Sequence, residues 1–493
     1  MAQHTPKQWI TGSNVPNNTI VDFSGGSLTM QSVLSGTQVP FSITNAAIGG
    51  PDSNLLFYSD GRAIYNRLHN KIQNGDTLSP GVYTFAAIAG GYGLQINQGT
   101  VFLPAPDDTN LFYVFHKSGD YWGQPCPNLS SGYVAYSFYY SIIDKSMDSG
   151  NGAIISKNNL ILNDTIGSAI LAIKHGNGRD WWIIVPDVNQ PVFYRFLLTP
   201  AGVTGPYTET IGIGSCGGYW SIKFSALTNK IAGFKVDQIW PITKYIDIFD
   251  FDRCTGLMSN HQLLTINNYV NSQYPGACEI SPSGRFLYAG VLDELHQFDL
   301  LASNIQASEI VVDTIDSINF WVNKFNYWFL QCAPDGKIYS SDWNNLTLSV
   351  INNPDSLGIA CNPQQGAITL PNTHNLDLPY IPLYELGPLV GSACDTLTAI
   401  KDLNFGTDKS ITVYPNPASD AINIYLPTVK SSNGFSISIF DLLGNEVYSF
   451  INGNSKSNSV TLSTNGLSNG MYFLKVISSD YSINCTVKIQ IVK

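Results

Sequence analysis

Residues 276–290 read GACEISPSGRFLYAG: two short runs of strand-forming residues around a polar turn. Ala277 to Ile280 alternates, Ser281-Pro282-Ser283-Gly284 turns, and Arg285 to Ala289 comes straight back, which is the pattern of a β-hairpin. The phrase recurs as YWSIKFSALTNKIAGF from Tyr219 and as YWFLQCAPDGKIYSSDW from Tyr327. Aligned on the start of the turn, Ser225, Ser281 and Ala333 stand 56 and 52 residues apart. A hairpin phrase recurring at about fifty residues is the signature of a β-propeller, each blade one four-stranded sheet.

Six blades are expected from the flanking sequence, at roughly 41–78, 100–162, 169–213, 219–270, 276–315 and 327–353. Three strand-like runs at residues 8–31 have no opening partner, and Gly366–Pro371 reads as a lone strand near the other end. One C-terminal strand joining three N-terminal ones would complete a seventh blade and remove the open edges. The expectation is an all-β chain: a seven-bladed β-propeller, with six or eight blades as the open alternatives, followed by a small β-sandwich. The domains are set at 1–385 for the propeller, 386–408 for a linker that loses its alternation, and 409–493 for the second module.

Composition agrees. Of 493 residues only 12% are charged, whereas Gly (43), Tyr (26), Phe (24) and Pro (26) are plentiful, as in turn-rich β structure. Residues 1–407 carry 19 basic and 31 acidic groups, and residues 408–493 carry 6 and 5. A body this acidic does not attract phosphate backbones, so nucleic acid is not an expected partner. No run of about eighteen apolar residues exists, so no membrane-spanning helix is expected. No apolar leader follows Met1. The chain is read either as cytosolic or as having lost a signal peptide, and the C-terminus favours the second.

Eight cysteines are scattered without CxxC pairs, which excludes zinc ribbons. They read as buried thiols, or as disulfides in an oxidising compartment, with Cys254–Cys278 and Cys332–Cys361 as the expected pairs. The GxGxxG at 212–217 precedes a strand rather than a helix and reads as a turn. Asp247, Asp250 and Asp252 alternate on a strand, Asp247 on the opposite face, and read as a solvated strand exit. The seven His are isolated, and neither HExxH nor GxSxG occurs. No cofactor or metal is expected, and no catalytic residue is assigned. Tyr121-Trp122 sits in a segment, 117–132, rich in Gly, Pro and Ser, where an exposed ring pair could stack on a sugar face; these are the candidate ligand-binding residues.

The C-terminal module resembles the type A sorting domain of the type IX secretion system of Bacteroidota. The resemblance is carried by Tyr414-Pro415-Asn416-Pro417-Ala418, by Phe440-Asp441-Leu442-Leu443-Gly444, and by Gly470-Met471-Tyr472-Phe473 running into Lys475-Val476. It implies an export address, partnership with the type IX machinery, and a secreted or outer-membrane surface location. The N-terminal part resembles the WD-type propellers at the start of many surface proteins of these bacteria, through Ser53–Gly61, Phe251–Gly256 and Pro334–Tyr339. Asp-Ser/Thr-aliphatic triplets resemble the O-glycosylation acceptor of the same group, at Thr77, Thr165, Thr314, Ser317, Ser356 and Thr396; the alternative is turn chemistry. The functional expectation is a secreted or surface binding module for an extracellular protein or glycan. A propeller hydrolase or lyase, or a structural envelope protein, are the alternatives.

Overall fold

The structure is a computed structural model. It describes residues 4–12, 18–25, 28–33, 39–121, 133–214, 218–237, 243–266, 276–291, 293–315, 327–376, 378–395, 411–425, 435–441, 445–452, 459–478 and 484–493. The chain divides into two compact units, Met1–Leu397 and Thr398–Lys493.

The quoted stretch folds as its pattern dictates. Ala277–Ile280 pairs antiparallel with Phe286–Val291, with Ala277 opposite Gly290 and Ile280 opposite Leu287. Gly284 takes φ +84° in the turn, a conformation that costs glycine nothing. The equivalent turn glycine at 336 has φ +77°, and in the Ser225–Lys230 turn Asn229 adopts the left-handed φ instead.

The first unit contains seven antiparallel sheets among the described residues. Gln8–Thr11, Thr19–Asp22 and Thr29–Ser32 (β1–β3) form sheet one, and Ala46–Gly49, Leu55–Ser59 and Ile64–Asn66 (β4–β6) sheet two. The helix α1 (Val82–Gly90) follows. Sheet three holds Thr100–Pro104, Leu111–Lys117, Asp120–Tyr121, Tyr133–Asp144 and Ala153–Ile166 (β7–β11), where the short β9 pairs only with β10. Sheet four is Leu171–Lys174, Trp181–Pro186, Val192–Thr199 and Gly202–Thr210 (β12–β15). Sheet five is Tyr219–Ser225, Lys230–Asp237, Thr243–Phe251 and Met258–Ile266 (β16–β19). Sheet six is Ala277–Ile280, Phe286–Val291, Glu294–Asp299 and Ile310–Thr314 (β20–β23). Sheet seven is Phe329–Cys332, Ile338–Ser341, Asn345–Ile351 and Pro363–His374 (β24–β27). The main path of every sheet follows chain order, each strand beside its predecessor.

Both faces of these sheets are covered, and the cores link them in sequence. Ile10 packs with Ala47, Leu55 and Tyr58 between sheets one and two. One core joins sheets two, three and four through Phe57, Phe112, Phe138, Trp181 and Phe196. Phe193 and Trp182 meet Tyr219 and Phe249 between four and five, and Phe234 and Ile248 meet Cys278 and Leu287 between five and six. Phe286 and Tyr288 meet Leu330 and Ile338 between six and seven. Gly290 permits the last approach, because a Cβ there would lie 2.0 Å from the Tyr327 carbonyl oxygen. Finally Trp9 and Val21 of sheet one meet Tyr339 and Leu348 of sheet seven, with the Trp9 and Phe23 rings edge-on to each other at 4.9 Å.

The expected exchange of a C-terminal strand into the N-terminal sheet does not occur. The lone strand expected at 366–371 is part of β27, the fourth strand of sheet seven, and it pairs with β26. Sheet one has three strands among the described residues and meets sheet seven by packing and by side chains. Asn372 Nδ2 reaches the Asn18 carbonyl oxygen at 3.3 Å, Thr19 Oγ1 at 3.2 Å and Ser32 Oγ at 3.1 Å.

Among the described residues the second unit has two antiparallel sheets. One joins Thr412–Tyr414, Ala421–Tyr425 and Ser459–Ser463; the other joins Glu446–Asn452, Phe435–Phe440, Gly470–Ser478 and Asn484–Ile491. Alternate residues of both, Ile422 and Ile424 with Ile437, Ile439, Leu474 and Val476, form one apolar core, as period-two patterning requires. Among the described residues of the chain no helix is long and apolar enough to cross a membrane.

Candidate functional site

The leading strands of sheets four to seven border a cavity of about 330 Å³. Its floor is polar. Lys223 of β16, Glu279 of β20 and Gln331 of β24 are all buried. Lys223 Nζ donates to Glu279 Oε2 at 2.6 Å and to Gln331 Oε1 at 3.1 Å. The Cys332 amide donates to Glu279 Oε2 at 3.1 Å and the Ile280 amide to Oε1 at 2.9 Å. The walls are apolar, with Ile173, Ile222, Phe224 and Ile280 among them. Ala226, Pro282 and Leu383 at the rim are exposed.

The remaining wall is a strap, residues 378–395, which follows β27 and crosses the leading strands. Tyr380 bridges in parallel to Ala46 of β4, and its phenol oxygen accepts from the Ala172 amide of β12 at 3.3 Å. Tyr384 donates its hydroxyl to the Phe102 carbonyl of β7 at 2.7 Å, and Lys174 Nζ donates to the Tyr384 carbonyl at 2.7 Å. Burial pushes both phenols above their ordinary range and pushes the Lys174 amine down. Farther on, Arg253 Nη2 donates to the Gly387 carbonyl at 2.6 Å and the Leu389 amide to the Gly176 carbonyl at 2.8 Å. Burial lowers the Arg253 guanidinium to about 10. A disulfide, Cys254–Cys394, then fixes the strap, with a Cα separation of 5.4 Å.

The strap corrects two expectations. Loss of alternation predicts a linker over 386–408, yet residues 386–395 are packed onto the first unit. Cys254 pairs with Cys394 and not with Cys278, whose thiol is wholly buried in β20 against Ser221 Oγ at 3.4 Å. Cys332 and Cys361 are free as well, both packed in or against the core between sheets six and seven. They serve as small apolar residues.

Both Glu279 oxygens are committed to donors. Glu385 at the rim accepts from the His4 amide at 3.1 Å and the Thr5 hydroxyl at 3.3 Å. Burial raises the Cys332 thiol, which keeps it from acting as a thiolate. Among the described residues no group of three or more His, Cys, Asp or Glu could hold a metal.

Sequence reasoning missed this floor, although the repeat contained it. Lys223, Glu279 and Gln331 each stand two residues before the turn start of their phrase, at Ser225, Ser281 and Ala333. A polar residue at one fixed position of otherwise apolar leading strands is the signal.

The predicted ligand pair lies elsewhere: Tyr121 ends β9, opposite Tyr133, and Trp122 lies outside the described residues. The segment expected as a loop from Lys117 begins inside β8, where Lys117 Nζ is buried and donates to the carbonyls of Gly167, Ser168 and Ala169. Asp247, expected at a solvated strand exit, is instead fully buried. It takes Tyr219 Oη at 2.5 Å, Lys235 Nζ at 2.6 Å and His261 Nε2 at 2.6 Å. Asp250 and Asp252 do face the other way, bonded to Lys230 and to the Cys254 amide.

Of the Asp-Ser/Thr triplets, Ser317 and Thr396 lie outside the described residues. Thr314 is exposed, and Thr77, Thr165 and Ser356 are half-buried. Their described aspartates carry structural bonds: Asp164 accepts from Tyr194 Oη at 2.5 Å, Asp313 from Tyr327 Oη and Gln365 Nε2, Asp76 from Lys157 Nζ, Asp355 from the Ser283 amide and Asp395 from the Gly391 amide.

In the second unit one motif residue ties distant strands and two others close local turns. Asn416 donates to the Lys488 carbonyl and accepts from the Gln490 amide, both at 2.8 Å, pinning the last strand. Asp441 accepts from the Asn445 amide and Nδ2, both at 2.9 Å, and Tyr472 Oη donates to the Ser468 carbonyl at 3.0 Å. Gly470 opens its strand opposite Ile491, and Lys475 stands opposite Ser438. Tyr414 is exposed, Pro415 and Pro417 follow cis peptide bonds, and Gly444 lies outside the described residues.

No curated protein matches the chain. Among solved structures, a candidate 6-phosphogluconolactonase from Bacteroides uniformis is 11% identical with a TM-score of 0.47, covering 76% of this chain and 100% of that one. Another from Bacteroides fragilis is 12% identical at a TM-score of 0.43, covering 76% and 99%. PorZ, an essential surface component of the type-IX secretion system of Porphyromonas gingivalis, is 10% identical at 0.28, covering 99% of this chain and 74% of that one. The second unit, whose Asn416 pins the last strand, matches a family over residues 412–492, and it is a secretion system C-terminal sorting domain, the export address of type IX secretion.

Proposed function

We propose that the seven sheets are the blades of a β-propeller and that the chain is a secreted or surface-displayed binding module, exported by type IX secretion through residues 412–492. The propeller reading is carried by the succession of shared cores, which runs from sheet one through seven and back to one. The binding reading rests on one observation: both oxygens of Glu279, the carboxylate at the cavity floor, are taken by Lys223 and two backbone amides, while the cavity itself stays open at its rim. A hydrolase or lyase that worked through a carboxyl acid or base would need that floor carboxyl poised to exchange a proton. Tyr121 and Trp122 remain candidates for a sugar-stacking surface in this reading.

The test is secretion in a host with type IX machinery. The full chain is compared with one ending before Asp408, and extracellular and periplasmic fractions are assayed. Retention of the truncated chain inside the outer membrane is expected. Equal export of both chains would overturn the address, and residues 412–492 would need another role. Intact mass of the exported protein, equal to the sequence mass of the processed chain, would remove the glycosylation expectation.

A further inference from the structure

The cavity has a polar floor, an apolar wall and a defined charge, and together these name a ligand class. Lys223 has three ammonium hydrogens, and two are directed at Glu279 and Gln331. Gln331 Nε2 spends one hydrogen on the Cys332 carbonyl at 3.1 Å. The third Lys223 hydrogen has the Tyr380 ring as its neighbour, with Nζ 5.5 Å from the ring centroid, and Gln331 Nε2 keeps a second hydrogen, while the one carboxylate of the floor is fully engaged. Lys223 is paired with Glu279 at the floor, and the carboxylate of Glu385 stands at the rim, within electrostatic reach of Lys174. An anion entering from the rim meets Glu385 first and finds no unbalanced cation at the floor. The wall between them is mostly apolar: Leu171, Ile173, Ile222 and Ile280 are aliphatic, and Phe224 with Tyr380 and Tyr384 of the strap supplies rings. A ligand with polar groups on every edge would leave most of them unpaired against the aliphatic part of this wall. At about 330 Å³ the space is at the small end of the range for ligand sites, about 300–1,000 Å³.

We propose that this cavity binds a small neutral molecule with an apolar body and a carbonyl or hydroxyl oxygen at its inner end, received by Lys223 and Gln331. The inference rests on the binding reading above and gives it a site and a ligand class.

The experiment uses the full chain and the neutral naphthyl ketone 6-propionyl-2-(dimethylamino)naphthalene as probe, followed by its fluorescence. Ala226→Trp fills the mouth from an exposed rim position, so it does not disturb the core. Leu301→Trp, on an exposed side chain away from the cavity, is the control. One saturable site is expected in the parent and in L301W, weakened at least tenfold in A226W. Anionic 8-anilinonaphthalene-1-sulfonate is expected to show no A226W-sensitive binding. Ketone binding unaffected by A226W, or no saturable binding, overturns the site. Sulfonate binding that A226W abolishes overturns the neutral class and keeps the site. The secretion assay involves no ligand, so failure of the export reading and failure of this inference are read separately.

Discussion

Lys223 and Glu279 lie 2.6 Å apart on two neighbouring sheets, with side chains only 10% and 7% exposed. Removing one partner of so buried a pair leaves an uncompensated charge, whereas replacing both is far milder. Lys223→Met is expected to lower stability by about 3–5 kcal/mol. The double change K223M/E279L is expected to recover most of that loss. Urea unfolding midpoints check it; a K223M loss under about 1 kcal/mol would mean that water reaches the pair.

Cys254–Cys394 links residues 140 apart in sequence. A cross-link over about that span constrains the unfolded chain by about 4–5 kcal/mol in the chain-entropy account. The C254S/C394S variant is therefore expected to unfold at markedly lower denaturant. A non-reduced digest of the parent is expected to yield the 254–394 cross-linked peptide. Recovery of a 254–278 peptide instead would contradict the pairing.

His116 is wholly buried in β8, its Nδ1 3.0 Å from Ser79 Oγ and its Nε2 3.0 Å from Ser141 Oγ. Burial, with a smaller contribution from Lys157, lowers it from 6.5 to about 3. Between those values the unfolded chain binds the proton and the folded chain does not. Stability thus falls as pH drops through 6.5 toward 3, by up to about 1.4 kcal/mol per pH unit from this group. His296, lowered to about 4 by burial, acts with the same sign. His116→Gln is expected to have a shallower loss of stability between pH 6.5 and 4 than the parent. Parallel slopes in the two proteins would show that His116 titrates normally.

Asn372 is a side-chain link between the last and first sheets. In Asn372→Ala, amide exchange is expected to quicken in residues 8–32 while sheets three to five keep their protection. Uniform acceleration across the first unit would instead mean that the seam opens only with global unfolding.

The hairpins were legible in the sequence because turn chemistry is local: Ser281–Gly284 and Asp335-Gly336 dictate their strands within a few residues. Each of the six expected spans falls on a different sheet for the same reason, although 327–353 holds only the first three strands of sheet seven and 100–162 stops short of the end of β11. What escaped was long-range. The β27 strand carries Pro363, Gly366 and Pro371 within twelve residues, and those breakers made its middle look isolated from sheet seven. The strap lost its alternation because its residues answer to leading strands from several sheets, not to a single neighbour, so no period is written in it. Cys394 finds Cys254 across 140 residues, a distance at which spacing is silent. Alternation assigns Asp247 to the correct face, but its burial depends on Lys235 and His261, which lie on the two adjacent strands.

The bond from Asn372 to Asn18 spans 354 residues. On a ribosome adding about 5–20 residues per second, roughly 20–70 s pass between the two ends of that bond. Through that interval β1–β3, a sheet of three four-residue strands, has its neighbour on one side only. The stretch of the first unit that is made earliest is thereby the last to be enclosed, and a chain arrested before residue 372 carries that sheet without the side chain that closes its seam.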